Sequence, residues 1–426
     1  MNSLKVYKFS DLYEMSSGIS SKPEQAGHGS PFISFKTVFN NAFLPKVLKD
    51  KMDVSDNEKL IYSVRKGDVF LTRTSESLDE LAMSCVADND YDNATFSGFL
   101  KRLRPKQIDV TYHRYMAFYL RSKLFRKTMT NNAIMTLRAS FNEQIFSYLD
   151  LILPDFKEQK KIGDFLYAIN QKIEVNNKIN EELEAMAKTL YDYWFVQFDF
   201  PNEKNKPYKS SGGKMVYNEV LKREIPEGWE DCTLGDISNL IRGVSYNKQD
   251  IQSEIKEDTI KILRATNITK NIIDLNDPVL VSNSFVKEEQ ILRPYDILIT
   301  MSSGSIDHIG KNGFYFFDEQ VAFGAFCAKI QTDEIFRYYV YSFMQSSVFS
   351  TIIKNECLGT NINNLNGSMV KGFKLVKPSK YILESFNFLI DPYFKKIRVN
   401  LLQNQELAQL RDWLLPMLMN GQVKVE

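Results

Sequence analysis

Histidine and cysteine are scarce in this chain, with three of the first and four of the second among 426 residues. The cysteines (Cys85, Cys232, Cys327, Cys357) lie far apart and never form CxxC, and the histidines (His28, His113, His308) have no companion at ligand spacing. That argues against a disulfide framework and a zinc site, and for a reducing compartment. Charge of one sign is lacking too. Lys and Arg total 54, Asp and Glu 53, a formal balance of +1, so no global field advertises a polyanionic partner, although local patches decide phosphate affinity. No stretch approaches about 18 uninterrupted apolar residues, and the opening MNSLKVYKFSDLYE has no apolar h-region. The expectation is a cytoplasmic, unexported protein with no membrane role. At 43% hydrophobic and 25% charged, the chain is long enough for two or three domains with separate cores.

Catalytic strings are also missing. An adenine methyltransferase is expected to carry (N/D)PP(Y/F), and the nearest strings, NDPV from Asn276 and DPYF from Asp391, lack the second proline. There is no GxGxxG or DExH-type string, no Ser/His/Asp or metal constellation, and SGGK (Ser211 to Lys214) lacks phosphate-loop spacing. Pro154-Asp155 with Glu158 and Lys160 looks like a PD…ExK nuclease motif, but its two parts are adjacent instead of separated by a hairpin. A helix-start signal accounts for it better: Pro154 ends LILP, Asp155 caps, and Glu158 takes the N3 position of a capping box.

What the chain does contain is a duplication. FSDLYEMSSGIS from Phe9 resembles LGDISNLIRGVS from Leu234, and VRKGDVFLTRTSES from Val64 resembles LRPYDILITMSSGS from Leu292. HRYMAFYLRSKLFRK from His113 resembles FRYYVYSFMQSSVFS from Phe336, and SYLDLILP resembles KGFKLVKP. The shifts are 225, 228, 223 and 224 residues, in the same order. Each copy begins with about 150 residues of short β-leaning runs (PFISF, DVFLT; KILRA, DILIT) broken by Gly, Asn, Asp and Ser, with one helix inside, and ends in a long helix. Residues 201–226, rich in Pro, Gly, Ser and Lys, read as a linker.

The long helices carry a 4-3-4-3 ladder. Its first copy runs Ile162, Leu166, Ile169, Ile173, Asn176, Asn180, Leu183, Ala187, Leu190 and Trp194; its second runs Phe386, Ile390, Tyr393, Ile397, Asn400, Asn404, Leu407, Arg411, Leu414 and Leu418. An asparagine in such a seam costs stability unless it meets a polar partner, and so selects one register. Both asparagine pairs sit near mid-ladder, so antiparallel packing brings them together in a two-helix coiled coil of roughly 60 Å. Pro392 is expected to kink the second helix or to start a fresh one.

Two similar domains on a rigid rod suit a target with two different half-sites, such as duplex DNA. The candidate readers are polar residues at loops: Lys36; Arg73, Thr74 and Ser75 after DVFLT; Arg138 in TNNAIMTLRAS; Arg264, Thr266 and Asn267; Ser302 and Ser303 after DILIT; and Asn361 and Asn363 in GTNINNLNGS. Basic clusters also occur, Lys101, Arg102, Arg104 and Lys106 in KRLRPK and Arg114, Arg121, Lys123, Arg126 and Lys127 after it; a solvated face explains these equally well.

The order domain, long helix, domain, long helix resembles the specificity subunit of type I restriction–modification enzymes. LPDFKEQKKIGDFLYAINQKIEVNNKINEELEAMAKTLYDYWFVQFDF, GKMVYNEVLKREIPEGWEDCTLGDI and LLPMLMNGQVKV carry the likeness, which spans essentially the whole chain. It implies an α+β fold with a pseudo-twofold repeat: target-recognition domains at 1–153 and 227–377, spacer helices at 154–200 and 378–426, and an antiparallel coiled coil between the domains. It further implies a non-catalytic DNA-binding chain, each domain reading half of a bipartite site, with two methyltransferase subunits docked on the helices and restriction subunits joining them. S-adenosylmethionine, ATP and Mg²⁺ would belong to those partners and no cofactor to this chain. One departure stands out: KPSKYILES replaces LPDFKEQKK, so the second helix loses its capping box and is expected to fray or start at a different angle. The competing readings are a self-contained methyltransferase or nuclease, and a coiled-coil scaffold outside any restriction–modification system, with or without a DNA role.

Overall fold

The computed structural model describes residues 4–20, 22–75, 80–132, 139–269, 271–360 and 364–425. The chain forms two compact units, one built from residues up to Glu174 together with those from Asn404 onward, the other from Val175 to Gln403. Each unit holds one strand-rich domain and part of both long helices.

The duplication is visible strand by strand. The first unit has a four-stranded antiparallel sheet in the order Tyr13–Ser17, Leu100–Pro105, Val69–Thr72, Ser84–Val86. The second unit repeats it as Ser238–Arg242, Cys327–Thr332, Ile297–Thr300, Asn312–Phe314, with Ile272–Ile273 and Ile268–Thr269 added at one edge. The strands VFLT and ILIT are buried along their whole length, which is why they are unbroken apolar runs closed by a threonine instead of alternating. The turn before each needs a positive φ. The first copy supplies Gly67 at +89°, whereas the second places Tyr295 there at +72°, a conformation glycine adopts freely and tyrosine only with strain.

A three-stranded sheet also recurs, Lys51–Met52, Ala26–Ile33, Thr95–Phe96 in one unit and Val279–Ser282, Thr259–Leu263, Val321–Phe323 in the other. In both, the middle strand runs antiparallel to its first neighbour and parallel to its second. A two-stranded ribbon closes each domain, Lys5–Lys8 with Asp150–Leu153 and Glu230–Thr233 with Lys374–Lys377. Its last strand leads into the long helix.

Those helices are Phe156–Tyr191, 36 residues followed by a π-helical turn at Asp192–Val196, and Lys380–Met419, 40 residues. Asp155 caps the first, its Oδ1 accepting the Glu158 backbone N–H at 2.9 Å. The second starts at the equivalent position, 380 being 156 plus 224, so loss of the capping box does not delay its start. Burial of Ile382, Leu383 and Phe386 in its first two turns holds it instead. Nor does Pro392 interrupt it: the proline is exposed, and buried Ile390, Phe394 and Ile397 anchor the helix on either side.

In each unit the two helix portions run antiparallel. In the first, Leu418 packs in one core with Ile162 and Leu166, and Arg411 Nη1 donates to Asn170 Oδ1 at 3.0 Å. In the second, Asn176 Nδ2 donates to Gln403 Oε1 at 2.9 Å, Asn400 Nδ2 to Asn180 Oδ1 at 2.8 Å, and Trp194 meets Phe386 at 5.8 Å between ring centroids. Of the ladder residues, Ile162, Leu166, Ile169, Asn176, Asn180, Ile390, Ile397 and Asn400 are buried; Ile173, Leu183, Asn404, Leu407 and Leu414 are half-buried. Phe394 is buried where the ladder places Tyr393, which is half-buried.

The segment 201–226, expected as a linker, is folded. Met215–Asn218 and Arg223–Pro226 form a hairpin, and Phe200 stacks between Tyr208 and Trp229 at 4.7 and 4.8 Å. Asp199 takes hydrogen bonds from the Ser210 N–H and hydroxyl at 2.7 and 2.6 Å. Aromatic stacking and this acid fix a composition that by itself reads as flexible.

Candidate nucleic-acid interface

In each unit, separate backbone segments converge on one tight turn. The turns are FSGF (Phe96 to Phe99) and FGAF (Phe323 to Phe326), closed by Leu100 N–H to Ser97 O at 2.9 Å and Cys327 N–H to Gly324 O at 2.8 Å. Gly18 and Gly243, the matched glycines of the first repeat block, lie against the turn backbone. A Cβ on Gly18 would collide with the carbonyls of Phe96 and Ser97, and one on Gly243 with those of Phe323 and Gly324. Their neighbours Ile19 and Val244 donate to Phe96 O and Phe323 O at 2.9 and 2.7 Å.

The candidate loops are tied to the same turns. Ser97 N–H bonds Ile33 O at 3.0 Å and Gly324 N–H bonds Leu263 O at 2.8 Å, seating the segments that carry Lys36 and Arg264 to Asn267. Arg73 N–H donates to Phe99 O at 2.9 Å, and Met301 N–H to Phe326 O at 2.8 Å. The other polar loop pairs on the outside of these: Thr74 and Ser75 with Ser140 and Ala139, and Ser302 with Asn364. The structure therefore brings the first polar loop of each copy next to the described end of the second, through equivalent bonds.

Lys36, Arg73 and Thr266 are exposed there, and Thr74, Ser75, Ser302 and Ser303 are half-buried. Arg264 is half-exposed, with Nη2 on Asp277 at 2.8 Å. Arg138, Asn361 and Asn363 lie outside the described residues. Asn267 requires a correction as a base reader: it is buried, its Oδ1 accepts from Arg264 N–H, and its Nδ2 donates to the carbonyls of Asp274 and Asn276. It braces the loop.

The basic clusters need the same correction. Arg102 donates to Ser63 O at 2.6 Å, Arg104 pairs with Asp68, Lys106 reaches Ser10 O at 2.8 Å, and Arg121 holds the carbonyls of Val38, Phe39, Asn41 and Ser84. Arg114 joins Asp88 to Asp164 at 2.9 and 2.8 Å and lies over the Tyr167 ring, while His113 meets Asp88 at 2.7 Å. Burial pushes the Asp88 carboxyl up, but hydrogen bonds from His113, Arg114 and Tyr167 and the Arg114 charge outweigh it and hold Asp88 well below the usual carboxylate range. Arg102, Arg104, Arg114 and Arg121 thus hold backbone carbonyls and acids of their own domain, while Lys106 is exposed. Lys101, its Nζ on Ser17 Oγ at 2.8 Å, lies near enough to Arg73 to feel its charge, and burial followed by that charge lowers its pKa. Lys123 and Lys127 are exposed.

Asp155, the acid of the nuclease-like string, is occupied as a helix cap. Among the described residues no group of three or more His, Cys, Asp or Glu is placed to hold a metal ion. A cavity of about 880 Å³ in the second unit is lined by none of the candidate readers. Among the described residues, no helix is long and apolar enough to cross a membrane. The sequence signal overlooked was the pair FSGF and FGAF, 227 residues apart and in step with the other repeat blocks.

Two copies of one strand-rich domain, each with the same loop-bearing face, joined to two long helices, define an internally duplicated two-domain protein. The family described as "Type I restriction modification DNA specificity domain" matches residues 2–185 and 226–401, and the chain belongs to it. The chain is 25% identical over 433 aligned positions to the MjaIX specificity subunit of Methanocaldococcus jannaschii, covering 99% of this chain and 94% of that one. It is 36% identical over 143 residues to the EcoKI specificity subunit of Escherichia coli K12, a match spanning 33% of this chain and 31% of that one, and 34% identical over 172 residues to the StySPI specificity subunit of Salmonella potsdam, spanning 39% and 37%. Those two matches thus cover about a third of each relative's length. The crystal structure of a type I restriction–modification S subunit from M. genitalium shares the fold, with a TM-score of 0.57 at 14% identity over 98% of this chain and 96% of that one.

Proposed function

We propose that this chain is the non-catalytic DNA reader of a type I restriction–modification assembly, each domain recognising one half of a bipartite duplex site. The carrying observation is that equivalent backbone bonds build the same face twice, while most of the side chains on it differ: Lys36, Arg73 and Thr74 in one copy, Thr266 and Ser302 in the other. A conserved frame with different tips is what two unlike half-sites require. The paired helices set the gap between the halves and dock two methyltransferase subunits, with restriction subunits joining them. Exposed Val175, Ile179 and Met186 on the first helix, and Phe388, Val399, Leu410 and Trp413 on the second, supply apolar surface for that docking. S-adenosylmethionine, ATP and Mg²⁺ are assigned to those subunits, and the chemistry with them.

Methylation mapping of a cell carrying the chain with its partners tests this. The expected result is one bipartite motif, of which replacing residues 227–377 alters one half only. Methyl transfer or Mg²⁺-dependent cleavage by the purified chain alone would overturn the reading. Equal, salt-independent binding to mapped and random duplexes would favour a scaffold instead.

A further inference from the structure

The turns that organise the two faces each end on a phenylalanine pointed at solvent. Phe99 is 66% exposed and Phe326 is 68% exposed. Single exposed apolar residues are ordinary on protein surfaces. These two are not independent, however. They hold the same place in the two copies, and the carbonyl of each accepts the N–H of the first residue of a polar loop, Arg73 or Met301. Tight turns favour Gly, Asn, Asp, Pro and Ser, each for a backbone reason, and nothing in the turn calls for an aromatic ring. The turn is also held on several sides, by Gly18–Ile19 and Ile33 in one unit and by Gly243–Val244 and Leu263 in the other. A ring displayed on a backbone so constrained loses little entropy on making a contact.

We propose that Phe99 and Phe326 are the apolar base contacts of the two half-site readers, each ring meeting either a thymine methyl group or the face of a base in the half-site of its own domain. This rests on the function proposed above. Most polar tips around each turn differ between copies, Lys36, Arg73 and Thr74 against Thr266 and Ser302, while the phenylalanine is the same. A constant residue among variable ones fits a feature that any half-site can offer, namely apolar base surface, rather than a particular hydrogen-bond pattern.

The test uses the full chain assembled with its methyltransferase subunits and a duplex carrying the site found by methylation mapping, with two control duplexes in which one half is scrambled. Phe99→Ala, Phe99→Leu and the same changes at Phe326 are compared with the parent by fluorescence anisotropy over a range of salt. Phe99→Ala is expected to weaken binding to the intact site by on the order of tenfold, with Phe99→Leu retaining part of the affinity. Discrimination against scrambling should collapse for one half only, the salt slope should stay unchanged because no phosphate contact is lost, and Phe326→Ala should do the same for the opposite half. Replacing thymine by uracil in one half separates the two partners. A loss matching that of the alanine variant identifies the methyl group, and retention identifies the base face; both support the proposal. It is overturned if the alanine variants bind like the parent, lose affinity equally for intact and scrambled duplexes, or release the methyltransferase subunits instead. If the parent itself does not discriminate, the underlying reading falls, and the phenylalanine proposal with it. Thermal melts of the variants should match the parent, since both positions are exposed.

Discussion

Asp68 and Arg104 form a two-pronged ion pair inside the first unit, with Nε 2.8 Å from Oδ1 and Nη2 2.6 Å from Oδ2 of a fully buried carboxylate. In the second unit Asp296 pairs instead with Lys329, 3.2 Å away, which takes the place of Arg102 on the partner strand, while Gln331 takes that of Arg104. Both acids also accept a backbone N–H three residues earlier, from Arg65 and Arg293, at 2.8 Å. Each pair therefore fixes the turn that starts a central strand and ties it to the neighbouring strand.

Removing one partner leaves a charge buried and unpaired, at a cost of about 3–5 kcal/mol. Arg104→Ala should lower stability by that order in urea titrations. Arg104→Lys, which keeps the charge, should cost about 1 kcal/mol because the fork geometry is lost. Neither should change the salt slope of DNA binding. A reduced slope would put Arg104 back on the DNA face.

That arginine shows where sequence reading stops. The repeat and the antiparallel seam were legible, because period, order and offset survive in the letters. KRLRPK was not, since adjacent basic residues look alike whether they face phosphate or a buried carbonyl. Only the strand pairing of Leu100–Pro105 shows that Arg102 and Arg104 turn toward Ser63 and Asp68. Composition misled again at 201–226, where Phe200 and Trp229, far apart in sequence terms, stack to order a Gly- and Lys-rich segment. For the second helix, local capping rules were overridden by burial of Ile382, Leu383 and Phe386.

Asn400 Nδ2 donates to Asn180 Oδ1 in a buried seam. Asn400→Leu alone removes one partner of a buried hydrogen bond and should destabilise the helix pair by about 1–3 kcal/mol. The double change to leucine should restore stability or exceed that of the parent, because an apolar seam replaces a polar one, while loosening the register that the asparagines select. Circular dichroism melts of the parent, both single variants and the double variant close the cycle. Additive losses would show that the two side chains do not interact.

The Asp88 network makes the first unit acid-sensitive. Its folded carboxyl is held below the ordinary value of about 4, so the unfolded chain takes up the proton first. The network's stabilisation is therefore complete above about pH 5 and declines as pH falls through 4 toward the depressed folded value. Asp88→Asn should be clearly less stable than the parent at pH 7, and the gap should narrow by pH 3. Urea midpoints at the two pH values decide it, and an unchanged gap would mean that Asp88 is not the titrating group.

Spacing gives the sharpest test of the proposed role for the helices. Seven residues added to each helix, at the level of the Asn180–Asn400 pair, preserve the 4-3 ladder and its antiparallel partners. They lengthen the pair by about 10 Å, at 1.5 Å per helical residue. At roughly 3.4 Å per base pair, that corresponds to about three more base pairs between the half-sites. Methylation mapping should then return the same two half-sequences with a wider gap. The same insertion in one helix alone breaks the register and should abolish methylation. An unchanged gap after the double insertion, with methylation intact, would show that some other element measures the distance.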